Sequence, residues 1–175
     1  MQSIQTVSEN TIYVGASDRR LAKFENLFPI PRGVSYNAYV ILDEKTALLD
    51  TADASVGAQF LENVAAALDG RKLDYLIVDH MEPDHAAMIE AVLVRWPDLR
   101  LVVNAKTLPM LKMYFPTDSA AFDDALVVKE GDTLDLGKHK LTFVMAPMVH
   151  WPEVMMTFDT TTVSYTHLTL PTTSR

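Results

Sequence analysis

Cysteine is missing from the 175 residues of this sequence. Its absence excludes disulfide bonds, thiolate zinc sites, iron–sulfur clusters and a cysteine nucleophile within the chain. Long apolar runs are missing as well, since none approaches the roughly 20 residues that a membrane-spanning helix needs. Any metal ion would therefore be held by nitrogen and oxygen atoms, and no membrane partner is expected.

Positive charge is also scarce: 15 lysines and arginines stand against 23 aspartates and glutamates, for a formal net charge of -8. No basic stripe with interleaved aromatic residues is present, so nucleic acid is not an expected partner. The first residues, MQSIQTVSEN, lack the basic, apolar and small-residue order of a secretory signal, which favours a cytoplasmic location. A hydrophobic content of 49% with 22% charged residues is typical of one globular domain.

Hydrophobic periodicity predicts a layered α/β fold. Short apolar runs bounded by turn residues predict strands, and apolar residues three and four apart predict helices. The predicted strands lie at 11–14, in a hairpin over 36–49, and at 75–78, 99–103, 126–129, 132–136 and 140–145. The predicted helices run from Asp53 or Ser55 to about Gly70, from Ile89 to Trp96, and over 106–114. Hairpins mixed with β-α-β units favour helices outside the sheet and ligands at the carboxyl ends of strands.

The segment HMEPDH, which follows the predicted strand at 75–78, places four candidate metal ligands in six residues: His80, Glu82, Asp84 and His85. Two imidazoles and two carboxylates suit zinc, iron or manganese. Alternate side chains of an extended loop point the same way, so the ligands at 80, 82 and 84 are expected to converge, while His85 turns toward a second position. Pro83 fixes φ and lowers the entropy lost when the loop is organised. The spacing therefore predicts a metal site with room for two ions.

Each of these side chains also has a purely structural interpretation. Asp84 could cap the following helix, His85 could be a first-turn residue, and His80 could be a hydrogen-bonded core histidine. The four together in one loop favour the metal site. His150, in the sequence APMVHWPE, follows the last predicted strand in the same way and is the fifth candidate ligand.

The remaining polar residues are given less specific expectations. Asp50 either orients a ligand histidine or merely precedes a helix cap. His139 lies between two lysines and is expected to be solvated, as is the turn formed by Asp18, Arg19 and Arg20. Asp159 is expected at the end of a strand.

The last residues differ in composition from everything before them. From Val163 the sequence VSYTHLTLPTTSR is rich in threonine and has no apolar periodicity. We interpret 1–162 as one domain and 163–175 as a non-native tail similar to translated adapter sequence. His167 lies in this tail and is given no role.

The pattern His80-x-Glu82-x-Asp84-His85, followed by APMVHWPE at 146–153, resembles the flavodiiron proteins, also called A-type flavoproteins. The resemblance covers nearly the whole chain before position 160, including DRRLAKFENLFPIPRGVSYNAYVILDEKTALLDT and GRKLDYLIVDHMEPDH. It implies a metallo-β-lactamase-like αββα sandwich, incomplete at the carboxyl end.

The resemblance also implies a function and a ligand set. Family members reduce dioxygen to water, nitric oxide to nitrous oxide, or both, at a non-haem diiron site. By this resemblance His80, Glu82 and His150 would bind the first iron, and Asp84 and His85 the second. Electrons would come from FMN on a carboxyl-terminal flavodoxin-like domain, fed by rubredoxin or a related carrier, within a head-to-tail homodimer.

The main alternative to this interpretation is a zinc-dependent hydrolase of the same fold, and Glu82 distinguishes the two. Ordinary zinc hydrolases of the fold carry histidine at this position. A carboxylate adds negative charge and hard oxygen character, which favour ferric iron over zinc.

The family pattern continues beyond this sequence with a bridging aspartate, a last histidine and the FMN domain. We therefore expect the chain to be a fragment with an incomplete site, weak metal affinity and no turnover alone.

Overall fold

The computed structural model describes residues 3–24, 26–115 and 120–162, and the backbone of 164–166. The strands are β1 Gln5–Ser8, β2 Thr11–Tyr13, β3 Ala16–Asp18, β4 Lys23–Phe24, β5 Phe28–Pro29, β6 Val34–Tyr36, β7 Tyr39–Leu42, β8 Thr46–Leu49, β9 Tyr75–Ile77, β10 Arg100–Asn104, β11 Leu126–Val128, β12 Thr133–Asp135, β13 Lys140–Met145, β14 Met155–Asp159 and β15 Ser164–Thr166. The helices are α1 Gly57–Leu68, α2 Pro83–Ala86, α3 Ile89–Arg95, α4 Thr107–Tyr114 and α5 Ala120–Asp123, with a 3-10 turn at Ala54–Val56.

Two sheets dominate the architecture. The first has seven strands in the order β1-β2-β7-β8-β9-β10-β11, antiparallel up to β8 and parallel from β8 to β11. The second is antiparallel, in the order β12-β13-β14-β15. Two short ribbons, β3 with β6 and β4 with β5, complete the described strands.

The central strands carry continuous apolar runs because both faces of the first sheet are covered. On β8, Leu48 belongs to the core beneath the helices, whereas Leu49 belongs to the core between the sheets. Leu76 and Ile77 of β9 divide in the same way. Successive side chains of a strand point to opposite faces, so a continuous apolar run is what a doubly covered sheet requires.

Each core has its own outer layer. The helices contribute Phe60, Val64, Ile89, Val92 and Leu111 to the first core, and the second sheet contributes Leu141, Phe143 and Met155 to the second. Within the described residues no helix contributes to the second core. The layers are therefore helices, first sheet and second sheet, which are three of the four layers expected of an αββα sandwich.

The predicted strands and helices lie within one to three residues of the observed ones, except that the predicted segment at 89–96 is preceded by the separate short helix α2. The tail assigned to 163–175 lies largely outside the described residues, and only the backbone of Ser164–Thr166 is described, paired with β14.

The expectation that His139 is solvated was wrong, and that for the turn at 18–20 was wrong for Asp18 but correct for Arg19 and Arg20, which are exposed. His139 is buried: its Nδ1 lies 2.8 Å from Asp159 Oδ2, and its backbone N–H donates to Asp43 Oδ2 at 2.6 Å. Hydrogen bonds from Lys45 to Leu136 and from His139 to Asp43 hold this segment against the β7–β8 turn, and the neighbouring Lys138 and Lys140 are exposed while His139 is buried. Asp18 is also buried and accepts the backbone N–H of Arg20 at 2.8 Å.

None of the helices in the described part of the chain combines the length and apolar character needed to cross a bilayer.

Candidate metal centre

The HMEPDH loop follows the carboxyl end of β9, and both sheets hold Asp79, the residue just before the loop, in place. The backbone N–H of Asp79 donates to Asp50 Oδ1 at 2.7 Å, and Met155 of β14 donates its N–H to the Asp79 carbonyl at 3.0 Å. Thr157 Oγ1 donates to Asp79 Oδ1 at 2.8 Å. These bonds connect the end of β9 to β8 on one side and to the second sheet on the other.

The local sequence explains how the loop becomes a helix. Glu82 has extended backbone angles, with φ -62° and ψ 144°, and its carbonyl accepts the N–H groups of His85 and Ala86 at 2.8 and 2.9 Å. Pro83 occupies the start of α2, where a missing N–H costs nothing and its fixed φ suits a helix. The helix turn therefore carries the side chain of His85 away from that of Glu82.

His80, Glu82 and His150 form the first group of candidate ligands. Glu82 Oε2 lies 3.0 Å from His80 Nε2 and 2.8 Å from His150 Nε2. One ligand atom from each of the three residues lies within 4.8 Å of the others. His80 and Glu82 are buried, whereas His150 is exposed at the loop between β13 and β14. Two imidazole nitrogens on one carboxylate oxygen could hold a single ion with little rearrangement.

Asp84 and His85 form the second group. His85 Nε2 lies 3.7 Å from Asp84 Oδ2, and its Nδ1 lies 3.0 Å from Asp50 Oδ2. Asp84 Oδ1 is buried and has no hydrogen-bond partner. Leaving such an atom unpaired is costly. A metal ion would satisfy this oxygen, so the donor set fits a second ion beside the first group.

The two groups adjoin each other. The ring centroids of His80 and His85 are 5.3 Å apart, and those of His80 and His150 are 5.0 Å apart. The structure thus brings all five predicted ligand side chains into one cluster. The placement decides between the two interpretations of Asp50, because its carboxylate contacts a ligand candidate; Asp53 is the residue that caps the helical turn.

Glu153 contacts a candidate ligand and was not predicted from the sequence. Its Oε1 lies 2.8 Å from His80 Nδ1 and accepts the backbone N–H of Met81 at 3.1 Å. The side chain is buried, and Oε2 has no hydrogen-bond partner. The sequence feature that could have indicated this contact is an acidic residue three positions after His150, within the same loop.

Burial and charge pairing shift the pKa values of the cluster. Burial opposes protonation of His80, but hydrogen bonds to Glu153 and Glu82 outweigh it and raise its pKa to about 9. Burial raises the pKa of Asp84, and the charge of Glu82 adds to this against the opposing charge of His85. The protonated form of His80 is therefore stabilised in a buried space between the carboxylates of Glu153 and Glu82.

A cavity of about 370 Å³ opens onto Glu82 and Asp84. Its walls include Phe24, Tyr36 and Ser55. Burial, then the charge of Asp53, raises the pKa of Tyr36 to about 12, so this phenol keeps its proton at neutral pH. The cavity gives small molecules a route to the carboxylate side of the cluster.

Comparison with known proteins assigns the fold to a class. The family profile described as "ODP family beta lactamase" matches residues 34–165. A nitric oxide reductase of Moorella thermoacetica is 36% identical over 153 residues, which cover 87% of this chain and 38% of the relative. The rubredoxin oxygen:oxidoreductase of Desulfovibrio gigas superposes with a TM-score of 0.83 at 31% identity, over 90% of this chain and 38% of that one. A flavo di-iron protein mutant of Thermotoga maritima superposes with a TM-score of 0.81 at 26% identity, over 91% and 40%.

The fold is therefore mixed α/β with the sheets of the β-lactamase type, as expected. The chain belongs to the flavodiiron proteins and corresponds to their metallo-β-lactamase-like amino-terminal domain. It spans less than half the length of each of these relatives.

Proposed function

We propose that this chain supplies five ligands of a diiron centre in an oxidoreductase that reduces dioxygen to water, nitric oxide to nitrous oxide, or both. His80, Glu82 and His150 would hold the first iron, and Asp84 and His85 the second. Two adjacent irons, when bound, supply electrons together to a shared diatomic substrate. The proposal takes its activity from the names of the relatives, a nitric oxide reductase and a rubredoxin oxygen:oxidoreductase.

The observation that carries the proposal is the position of Glu82. Its carboxylate lies between the Nε2 atoms of two histidines, at 3.0 and 2.8 Å. A carboxylate in this position adds a negative charge to the metal site, which stabilises the ferric state. Two histidines and one carboxylate also form the donor set of many non-haem iron sites.

The other residues of the chain orient the ligands and shape access. Asp50 holds the Nδ1 side of His85, so the Nε2 atom faces Asp84. The cavity beside Glu82 and Asp84 is large enough for a diatomic molecule and is partly apolar, with Leu21 and Phe24 in its walls. Electrons would enter from FMN, supplied by a rubredoxin-like donor, within a head-to-tail dimer of the protein that contains this domain, which we expect to be cytoplasmic.

Metal analysis of that protein after anaerobic expression with both iron and zinc tests the proposal. We expect two irons and little zinc per chain, together with consumption of dioxygen or nitric oxide when reduced rubredoxin is supplied. Glu82→Gln should lower the iron content. Glu130→Gln makes the same chemical change at an exposed glutamate that accepts the Met145 N–H, and it should leave the iron content unchanged.

Two results would contradict the proposal. Stoichiometric zinc with thioesterase or lactamase activity would identify a hydrolase of this fold. Unaltered metal content in both His80→Ala and Glu82→Ala would show that the cluster binds no metal.

A further inference from the structure

The loop between β13 and β14, residues 146–154, contacts His80 on two sides. The Trp151 ring meets the His80 ring edge to face, with centroids 5.2 Å apart. Glu153 lies against the Nδ1 edge of the same ring, with its Oε1 at 2.8 Å. His80 is fully buried between them. One loop therefore supplies a candidate ligand, His150, and also the surroundings of another.

We propose that Glu153 is a positioning residue: it accepts the Nδ1–H of His80 and so leaves Nε2 as the nitrogen that binds the metal. This inference rests on the proposed function, because it takes His80 to be a metal ligand. A carboxylate can only accept a hydrogen bond, so it keeps a proton on the imidazole nitrogen that faces it. The opposite nitrogen, Nε2, faces Glu82 at 3.0 Å.

The carboxylate of Glu153 is itself held firmly. Oε1 also accepts the N–H of Met81 at 3.1 Å, so the same oxygen binds two successive residues of the HMEPDH loop. The backbone carbonyl of Glu153 accepts a hydrogen bond from the Asn104 side chain at the end of β10. Because both the backbone and the carboxylate are fixed by the protein, the orientation of the His80 ring does not depend on a metal.

The second group of ligands has a similar arrangement. Asp50 Oδ2 lies 3.0 Å from His85 Nδ1. Within the described residues, His150 has no carboxylate at its Nδ1 and contacts Glu82 through Nε2 alone. A buried carboxylate thus orients one histidine in each ligand group. Glu153 orients His80 in the first group, and Asp50 orients His85 in the second.

Zinc binding to the 175-residue chain, labelled with ¹⁵N-histidine, tests the inference. In the zinc-loaded wild type, the His80 signals should show zinc on Nε2 and a proton on Nδ1. Glu153→Gln keeps the shape of the side chain and an oxygen that can accept from both Met81 N–H and His80 Nδ1–H, but it removes the negative charge behind the imidazole. It should weaken zinc binding by about 10- to 100-fold, the usual effect of losing a partner behind a metal ligand, and it should shift the Nδ1 proton signal of His80 upfield, because a neutral amide accepts a weaker hydrogen bond than a carboxylate.

Glu130→Gln is the matched control. Glu130 contacts the end of β13, just before the same loop, by accepting the Met145 N–H at 2.6 Å, and it has no hydrogen bond to His80. Its zinc affinity and its His80 signals should equal those of the wild type.

The outcomes separate this inference from the proposed function. Zinc on Nδ1 of wild-type His80, a result that needs no variant to fold, would overturn the role of Glu153 while leaving the metal centre intact. Unchanged affinity and an unchanged Nδ1 proton in Glu153→Gln would do the same. If His80→Ala binds zinc as tightly as the wild type, both the metal centre at His80 and the role of Glu153 are wrong.

Discussion

Phe143 supports the sheet that carries the loop with His150 and Glu153. It lies on β13, is fully buried, and belongs to the core between the two sheets together with Leu49 and Ile77. Phe60 on α1 is equally buried but belongs to the core beneath the helices. The two phenylalanines therefore offer the same truncation, to alanine, in two separate cores.

The decrease in the free energy of unfolding caused by Phe143→Ala follows from the burial of the side chain. A fully buried phenylalanine truncated to alanine costs about 3–5 kcal/mol, because apolar contact is lost and a cavity remains. The total free energy of unfolding of a domain is about 5–15 kcal/mol. At about 2–4 °C per kcal/mol for a chain of this size, the melting temperature should fall by about 6–20 °C. Phe60→Ala should cost a similar amount.

Urea denaturation gives the free energy of unfolding of each variant, and amide hydrogen exchange in the native state distinguishes the two variants. Phe143→Ala should accelerate exchange mainly in β12, β13 and β14, and Phe60→Ala mainly in α1, because local opening follows the element that loses its packing. The usual cost of such a truncation is well above ~1 kcal/mol. A decrease in the free energy of unfolding below about 1 kcal/mol in Phe143→Ala, or the same exchange pattern in both variants, would therefore refute the assignment of two cores.

Three further predictions concern polar contacts. Asp50→Asn places an amide beside His85 Nδ1. In a zinc titration, the affinity of the second ligand group for zinc should fall about 10- to 100-fold, whereas the first group should keep its affinity. Thr157→Val removes the hydroxyl that donates to Asp79 and should lower the free energy of unfolding by about 1.5–3 kcal/mol in urea, the usual value of a hydrogen bond to a charged group. Burial alone would raise the pKa of Asp159, but hydrogen bonds from Thr162 and His139 lower it below its ordinary value of 3.8. The ionised carboxylate therefore stabilises the fold above that pH, and its contribution to the free energy of unfolding is lost as the pH falls through the lowered pKa. Asp159→Asn should make the free energy of unfolding depend less on pH on the acid side.

The sequence predicted the fold wherever local pattern decides it. Apolar runs such as Tyr75–Val78 mark strands covered on both faces, and the structure confirms that Leu76 and Ile77 enter different cores. The short ribbons β3–β6 and β4–β5 were not predicted, because their strands, with the sequences ASD, VSY, KF and FP, contain neither a continuous apolar run nor a sustained alternation. What forms them is tertiary pairing, as in the contact of Ala16 with Tyr36.

The buried polar residues show where local reasoning fails. His139 was expected in solvent because its neighbours are lysines, yet the structure buries it against Asp159. Its partner lies twenty residues away, so no short window of sequence reveals the pair. Glu153 was overlooked for the same reason: its contact with His80 spans a separation of 73 residues.

The site itself depends on both kinds of information. One loop after β9 supplies His80, Glu82, Asp84 and His85, and this local cluster is visible in the sequence because every member follows one strand. His150 and Glu153 reach the same place only because the β13–β14 hairpin is fixed to the end of β9, through the bond from the Met155 N–H to the Asp79 carbonyl. A sheet that slipped by one residue would turn every side chain to the opposite face. The register of β14 against the loop therefore determines whether His150 and Glu153 join the candidate metal centre, and residues that are not candidate ligands, such as Thr157, contribute to that register.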